Sequence, residues 1–280
     1  MNVAITGASG FVGRALSERL RSSGHSVTSI SVRTQPAPEI FAQCQAVVNL
    51  AGEPVAQRWT AAARERISNS RIQGTRSLVA AFRRYPPGVL VSASAVGYYG
   101  SRGDEILTED SPPASDFLGR VALGWEQEAR VAEQFGVRVV IPRIGVVLGR
   151  GGGALAQMLL PFRLGVGGRL GTGEQWMSWI AMDDLVSLIQ FAIEDTALTG
   201  PVNAVAPNPV TNAVFARELA SALHCPAVLP VPAFALKILF GEMSQILLGG
   251  QRVIPQAALR AGFQFSFADL GKALRQAISG

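Results

Sequence analysis

Lysine is nearly missing from this chain: Lys237 and Lys272 are the only two, so arginine supplies almost all of its 25 positive charges. Cysteine and histidine are equally scarce, two of each. Cys44 and Cys225 lie far apart in sequence and in no metal-ligand spacing, which excludes a disulfide framework and a cysteine metal site and fits a reducing compartment. His25 and His224 read as turn or surface residues, and no metal site is expected. No uninterrupted apolar run is long enough to span a bilayer. The start, Met-Asn-Val-Ala-Ile, shows no basic leader, so a cytoplasmic location and no membrane partner are expected. Charged residues make up only 16% against 48% hydrophobic, which excludes a disordered chain and leaves ample material for a core. The net charge of +5 raises the question of nucleic acid. That would want a basic run interleaved with aromatics. The nearest candidates, Arg64, Arg66, Arg71 and Arg76, follow an amphipathic helix pattern instead, and no nucleic-acid partner is expected.

What is present is alternation. Asn2–Thr6, Val27–Val32, Ala46–Leu50, Val89–Ser92 and Val137–Ile141 read as strands. Phe11–Arg21, Thr60–Arg84 with Thr60 as N-cap, and Ser115–Phe135 read as helices between them. This predicts an α/β fold, a Rossmann-type doubly wound parallel sheet with helices on both faces. Only 12 residues, Pro36 and Pro38 among them, separate Arg33 from Ala46, so one strand on that side is expected to be missing or vestigial. Gly149–Gly153 and Gly165–Gly173 read as loops. Asp183–Glu194, Thr211–Leu223, Ala233–Phe240 and Phe267–Ile278 read as helices, Pro201–Val205 as a strand, Pro230–Pro232 as a break and Gly249–Gly250 as a hinge. Residues 1–150 are expected to form the nucleotide-binding domain, with a returning strand–helix portion at about 180–208. Residues 151–280 would form a smaller substrate lobe that ends in helices.

Chemistry enters at Thr6-Gly7-Ala8-Ser9-Gly10-Phe11-Val12-Gly13, a G-x-x-G-x-x-G loop between the first strand and the first helix. Gly7 permits the tight turn, Gly10 the close approach of backbone to a pyrophosphate, and Gly13 the packing of helix on sheet. The helix N-terminus then faces the negative charge. The second strand ends Ser29-Ile30-Ser31-Val32-Arg33 with no acid to bond ribose hydroxyls. Arg33 can pair with a 2′-phosphate instead, so NADP(H) is the expected cofactor.

These residues resemble the extended short-chain dehydrogenase/reductase superfamily, and within it the atypical "epimerase family protein" branch with a C-terminal domain of unknown function. The resemblance rests on TGASGFVG at 6–13, NLAGE at 49–53, SASAVGYYG at 92–100, PRIGVVLGRGGGAL at 142–155, MLLPFRLGVGG at 158–168, WIAMDDL at 179–185, NAVAP at 203–207 and VIPQ at 253–256. It implies hydride transfer at nicotinamide C4, with a tyrosine, a lysine four residues later and a serine as catalytic groups. Ser94 matches the serine, and Ser92 is the next candidate. The Tyr-x-x-x-Lys pair falls on Phe117 and Val121 or, one register over, on Leu118 and Ala122, so the usual mechanism cannot operate. Tyr98 and Tyr99 are left either as replacement acid/base groups or as pocket wall. The resemblance places Leu50, Ala51 and Gly52 on the adenine–ribose side of the cofactor. Ser9, Phe11, Val12 and Arg143 are counted with the cofactor-binding residues.

Where relatives handle a nucleotide-sugar with arginine and histidine, Met177 and Ala181 stand, near Trp176 and Trp179. Arg143, Arg150 and Arg163 remain as anchors for an anionic group. Asp183 and Asp184 are expected to cap or orient the helix that follows. Two readings stay open. One is an NADP(H)-dependent, nucleoside-diphosphate-sugar epimerase- or oxidoreductase-like enzyme with a non-standard site, acting on a small, partly apolar carbonyl or sugar-like substrate. The other is a catalytically silent NADP-binding sensor or assembly partner. The resemblance also implies a homodimer through Thr60–Arg84 and Ser115–Phe135.

Overall fold

The computed structural model describes residues 1–225 and 230–279. Seven parallel strands form the central sheet: β1 (Asn2–Thr6), β2 (Ser26–Ile30), β3 (Ala46–Asn49), β4 (Val89–Ser92), β5 (Ser94–Ala95), β6 (Arg138–Ile144) and β7 (Gly200–Ala204). Their order is β2-β1-β3-β4-β6-β7, with β5 continuing beside β6. Successive side chains on a strand point to opposite faces, and in this sheet both faces are covered. Val3 and Ile5 of β1 enter one core with α1 (Phe11–Ser22), while Ala4 enters the other with Leu78 and Phe82. That is why β1, β3 and β4 read as unbroken apolar runs.

Helices α2 (Ala61–Ala80) and α3 (Phe117–Arg130) each begin at a side-chain cap. Thr60 Oγ1 accepts the Ala63 N–H at 3.2 Å, and Asp116 Oδ1 accepts that of Gly119 at 2.8 Å. The trimmed edge is present: only a 3₁₀ turn, Pro38–Phe41, lies between β2 and β3, and β2 is the edge strand.

The later half adds α4 (Gly153–Arg163), α5 (Met182–Glu194), α6 (Asn212–Leu223), α7 (Ala233–Phe240), α8 (Ser244–Leu248), α9 (Gln256–Arg260) and α10 (Leu270–Ser279). A further core gathers Leu155 and Phe162 of α4, Trp179, Phe215 of α6 and Leu274 of α10. Two expectations need correction. The glycine-dense loop at 149–153 runs directly into α4, a helix that its starting Gly153 and its internal Pro161 hide in the sequence. Gly250 is no hinge: it is buried, and a Cβ there would collide with the Trp176 backbone. Among the described residues no helix is long and apolar enough to cross a membrane, and no group of three or more His, Cys, Asp or Glu could hold a metal ion.

Candidate functional site

In a parallel sheet the carboxyl ends of the strands face the ligand. Here β1 ends at Gly7, whose φ of +70° only glycine adopts without strain. A Cβ on it would sit 2.9 Å from the Leu50 carbonyl and the Ala51 nitrogen. The chain leaves the turn through exposed Ser9 and Gly10, and α1 starts with no side-chain cap on its first N–H groups. Gly13 packs flat on the Gly7–Ala8 backbone, where any side chain would clash. Phe11 packs against Gly149, Gly152 and Gly153, which explains the glycines of that segment, and Val12 points into the core. Thr6 Oγ1 joins this loop to the next strand end by accepting the N–H groups of Leu50 and Ala51, each at 3.2 Å. Gly7 thus meets Leu50 and Ala51 at the strand ends, with Ser9 and Gly10 exposed beside them, while Val12 and Gly13 turn into the packing. Arg33, just past β2, is exposed, and its guanidinium has no hydrogen-bond partner among the described residues.

Ser92 does not join these residues at the surface. It is fully buried, and its hydroxyl accepts Asn49 Nδ2 at 3.1 Å beneath the strand ends. Its role is to hold β3 beside β4.

The three expected catalytic groups are also drawn inward. Ser94 Oγ donates to Glu126 Oε1 at 2.7 Å, and Arg143 clasps the same carboxylate twice, at 2.8 and 2.9 Å. Arg143 Nη1 donates to the Tyr99 hydroxyl at 2.8 Å and to the Glu109 carbonyl at 3.0 Å. The Tyr99 hydroxyl in turn donates to Asn203 Oδ1 at 2.6 Å. Tyr98 lies under the Arg143 guanidinium, 3.6 Å from ring centroid to Cζ. Arg143 is 2% exposed and Tyr99 0%, so both side chains are spent inside the protein rather than presented at a surface. Burial pushes the Tyr99 phenol up to about 12, beyond what the Arg143 charge offsets. Burial opposes the Arg143 charge, but Glu126 and Tyr99 outweigh it and hold the guanidinium firmly protonated. Glu126, Glu109 and Asn203 complete this knot and escaped the sequence reading. Glu126 carried a signal: it sits in the buried stripe of α3 with Ala122, Trp125 and Ala129.

Beside the knot a cavity of about 710 Å³ opens where β5 and β6 end. Its inner wall is Ala95–Gly97 and Ile144–Val146, and its outer wall comes from Met177, Ser178 and the α7–α8 segment. Phe117, Leu118, Val121 and Ala122 all line it, so in either register the lost tyrosine–lysine pair has become apolar wall. Ser94, Tyr98 and Tyr99 are not wall residues. Trp176 is, as expected, but Trp179 is fully buried in the core behind it. Arg150 and Arg163 are exposed elsewhere and contribute nothing to the wall.

Among the described residues two cations line the cavity, exposed Lys237 and, turned inward, Arg71 of the amphipathic α2 pattern. Arg64, Arg66 and Arg76 of that helix pair with Glu242, Glu53 and Glu128. Arg71 instead turns in beneath Gly52 and stacks over Trp125 at 5.2 Å. Burial pulls its pKa down to about 10, more than the nearby Glu53 charge restores.

Residues 3–204 match the model of the NAD dependent epimerase/dehydratase family. The chain belongs to this epimerase/dehydratase family. Residues 231–277 match a second model, a domain of unknown function, DUF1731. The "Epimerase family protein SDR39U1 homolog, chloroplastic" of Arabidopsis thaliana is 42% identical over 98% of this chain and 86% of its own length. The cattle (Bos taurus) epimerase family protein SDR39U1 is 40% identical over the whole of both chains. The crystal structure of the human protein (isoform 2), solved with NADPH, superposes with a TM-score of 0.92 at 38% identity, covering 100% of each chain. A structure described as the nucleoside-diphosphate sugar epimerase of Corynebacterium glutamicum gives 0.83 at 34% identity, covering 99% of this chain but 58% of that one. The similarity to the Arabidopsis and cattle relatives and to the human structure spans both matched segments.

Proposed function

We propose that the protein is an NADP(H)-dependent oxidoreductase of the extended short-chain type, acting on a small, largely apolar carbonyl compound. The cavity carries this reading: it lies where β5 and β6 end, the C-terminal segment lines it, and its wall residue Arg71 sits under Gly52 of the neighbouring strand-end loop. The residues present fit the cofactor. The uncapped start of α1 at Gly10–Gly13 would receive the diphosphate, Gly52 would lie against the ribose, and exposed Arg33 would take the 2′-phosphate. The human relative crystallised with NADPH supports the same choice. When bound, the cofactor supplies a hydride at nicotinamide C4. The chain's own contribution is a dry wall of Phe117, Leu118 and Val121 and one inward cation, Arg71. That wall offers little to a nucleoside-diphosphate sugar, which argues for a less polar substrate than the family name implies.

The test is a titration of the full chain with NADPH and NADH, wild type beside Arg33→Ala, followed by cofactor oxidation over a panel of carbonyl compounds. A charge-assisted contact is worth about 1.5–3 kcal/mol, so the variant is expected to bind NADPH roughly 10–100-fold more weakly and NADH unchanged. Binding of neither dinucleotide by the wild type would sink the reading. One observation favours a second reading, a silent NADP-binding sensor: Ser94 is tied to Glu126 and no tyrosine reaches the cavity. NADPH binding with no oxidation of any compound would support it.

A further inference from the structure

Three of the four tryptophans in the chain, Trp59, Trp125 and Trp176, line the one cavity. An arginine lies over each ring: Arg64 at 5.9 Å, Arg71 at 5.2 Å and Arg252 at 4.3 Å. Only Arg71 is itself part of the wall. Its Nη1 donates to the carbonyls of Glu53 and Ile67, at 2.9 and 3.2 Å, while Nε and Nη2 have no hydrogen-bond partner among the described residues. Trp125 is 6% exposed, and its indole N–H is buried without a partner. Buried donors are almost always satisfied, and an orphaned one in a cavity wall asks what acceptor completes it. A half-buried guanidinium with two nitrogens free and no ion pair among the described residues asks the same question.

We propose that Arg71 and Trp125 form an oxyanion subsite in this cavity, which takes the anionic oxygen of a planar, conjugated carbonyl compound. Planarity follows from the flanking rings: Trp59 and Phe117 meet edge to face at 5.1 Å, and both line the same space. A single negative charge follows from the wall's few ions. Asp116 spends Oδ1 on the α3 cap, Lys237 is exposed, and Arg71 is the cation that is turned inward. Arg71 keeps Nε and Nη2 free among the described residues, and its charge can stabilise an anionic oxygen held in the cavity, a task that the missing tyrosine and lysine would otherwise perform. This rests on reading the cavity as the substrate pocket of an NADP(H) enzyme.

The experiment uses the full chain without cofactor and follows tryptophan fluorescence on titration with two probes of like shape. One is lawsone, an acidic hydroxynaphthoquinone that is anionic at neutral pH. The other is menadione, its uncharged methyl counterpart. Wild type is expected to bind lawsone at least about tenfold more tightly. Trp125→Phe, which keeps the ring and removes the N–H, is expected to lose most of that preference, and Arg71→Met all of it. Arg71→Lys keeps the charge and is expected to retain part, which guards against a variant that misfolds. NADPH affinity, measured on the same proteins, is expected to stay within about twofold. Equal binding of the two probes, or binding of neither, overturns the subsite. So does an Arg71→Met variant that loses NADPH as strongly as lawsone, because Arg71 would then belong to the cofactor. Failure of the wild type to bind NADPH would instead remove the oxidoreductase reading, while the cofactor-free titration still decides the subsite.

Discussion

Arg143 uses its guanidinium entirely inside the protein, on Glu126, Tyr99 and the Glu109 carbonyl. Removing one member of such a buried pair leaves the other charge without compensation, at a cost of about 3–5 kcal/mol. Arg143→Met is therefore expected to lower the unfolding free energy by that much, read from the denaturant midpoint and slope. Tyr99→Phe strands fewer donors and is expected to cost about 1–3 kcal/mol. Neither position reaches the cavity, so the refolded variants should bind NADPH like the wild type. The pH dependence has a definite sign. The Tyr99 phenol is raised from 10.0 to about 12 by burial, so the folded state holds that proton more tightly than the unfolded chain does. Its contribution is complete below pH about 10 and is lost as the pH rises toward 12. Denaturation midpoints across that window should fall more steeply for wild type than for Tyr99→Phe.

At the scale of elements, the phosphate loop was legible because each of its glycines answers a local demand, a positive φ or a close approach. Gly13→Ala tests this. Its Cβ would collide with the Gly7 carbonyl, push α1 off the loop and cost about 1–3 kcal/mol. NADPH affinity, read by titration, should drop with it, whereas Gly24→Ala, where a Cβ meets nothing, should leave that affinity unchanged. The inward charges were harder to read. Arg71 follows Ile67 by four residues and precedes Thr75 by four, which puts it on the buried face of α2. A charge in an apolar stripe says that something buried awaits it, but not what. Its partner surface, Trp125, lies on a different helix, and only the packing of α2 on α3 brings the two together. The bond from Ser94 was hidden for a related reason: the motif around the serine is intact, and the residue that accepts its hydrogen bond, Glu126, is distant in sequence. Helix α4 was missed because Gly153 and Pro161 are poor helix formers, and its apolar residues gain their meaning only against α6 and α10.

Across the whole molecule, the C-terminal segment is stitched to the sheet rather than appended to it. Asp184, buried at the start of α5, accepts the N–H groups of Ser266 and Phe267 at 2.8 and 3.0 Å. The expectation that Asp184 caps or orients α5 is corrected: the helix has no side-chain cap, and Asp184 holds the C-terminal segment instead. Burial raises its pKa against those hydrogen bonds, so the two amides offset a charge that is costly where it lies. Glu109 Oε1 bridges Asn203 of β7 to Ala257 of α9, at 2.9 and 3.1 Å. Arg252–Val253 pairs as a short parallel strand with Ile106–Leu107, and Phe263 joins the core of β1 and α5. Asp184→Ala is expected to destabilise the protein by about 1–3 kcal/mol. Calorimetry should show one cooperative transition for the full chain in both proteins, and two separate transitions in the wild type would contradict this coupling. The knot around Ser94 belongs to the same stitching. Its hydroxyl carries weight in the fold, so Ser94→Ala is expected to cost about 1–3 kcal/mol of stability whether or not the protein turns over a substrate. A rate lost at this serine is therefore to be read beside its unfolding curve, because one side chain answers to both.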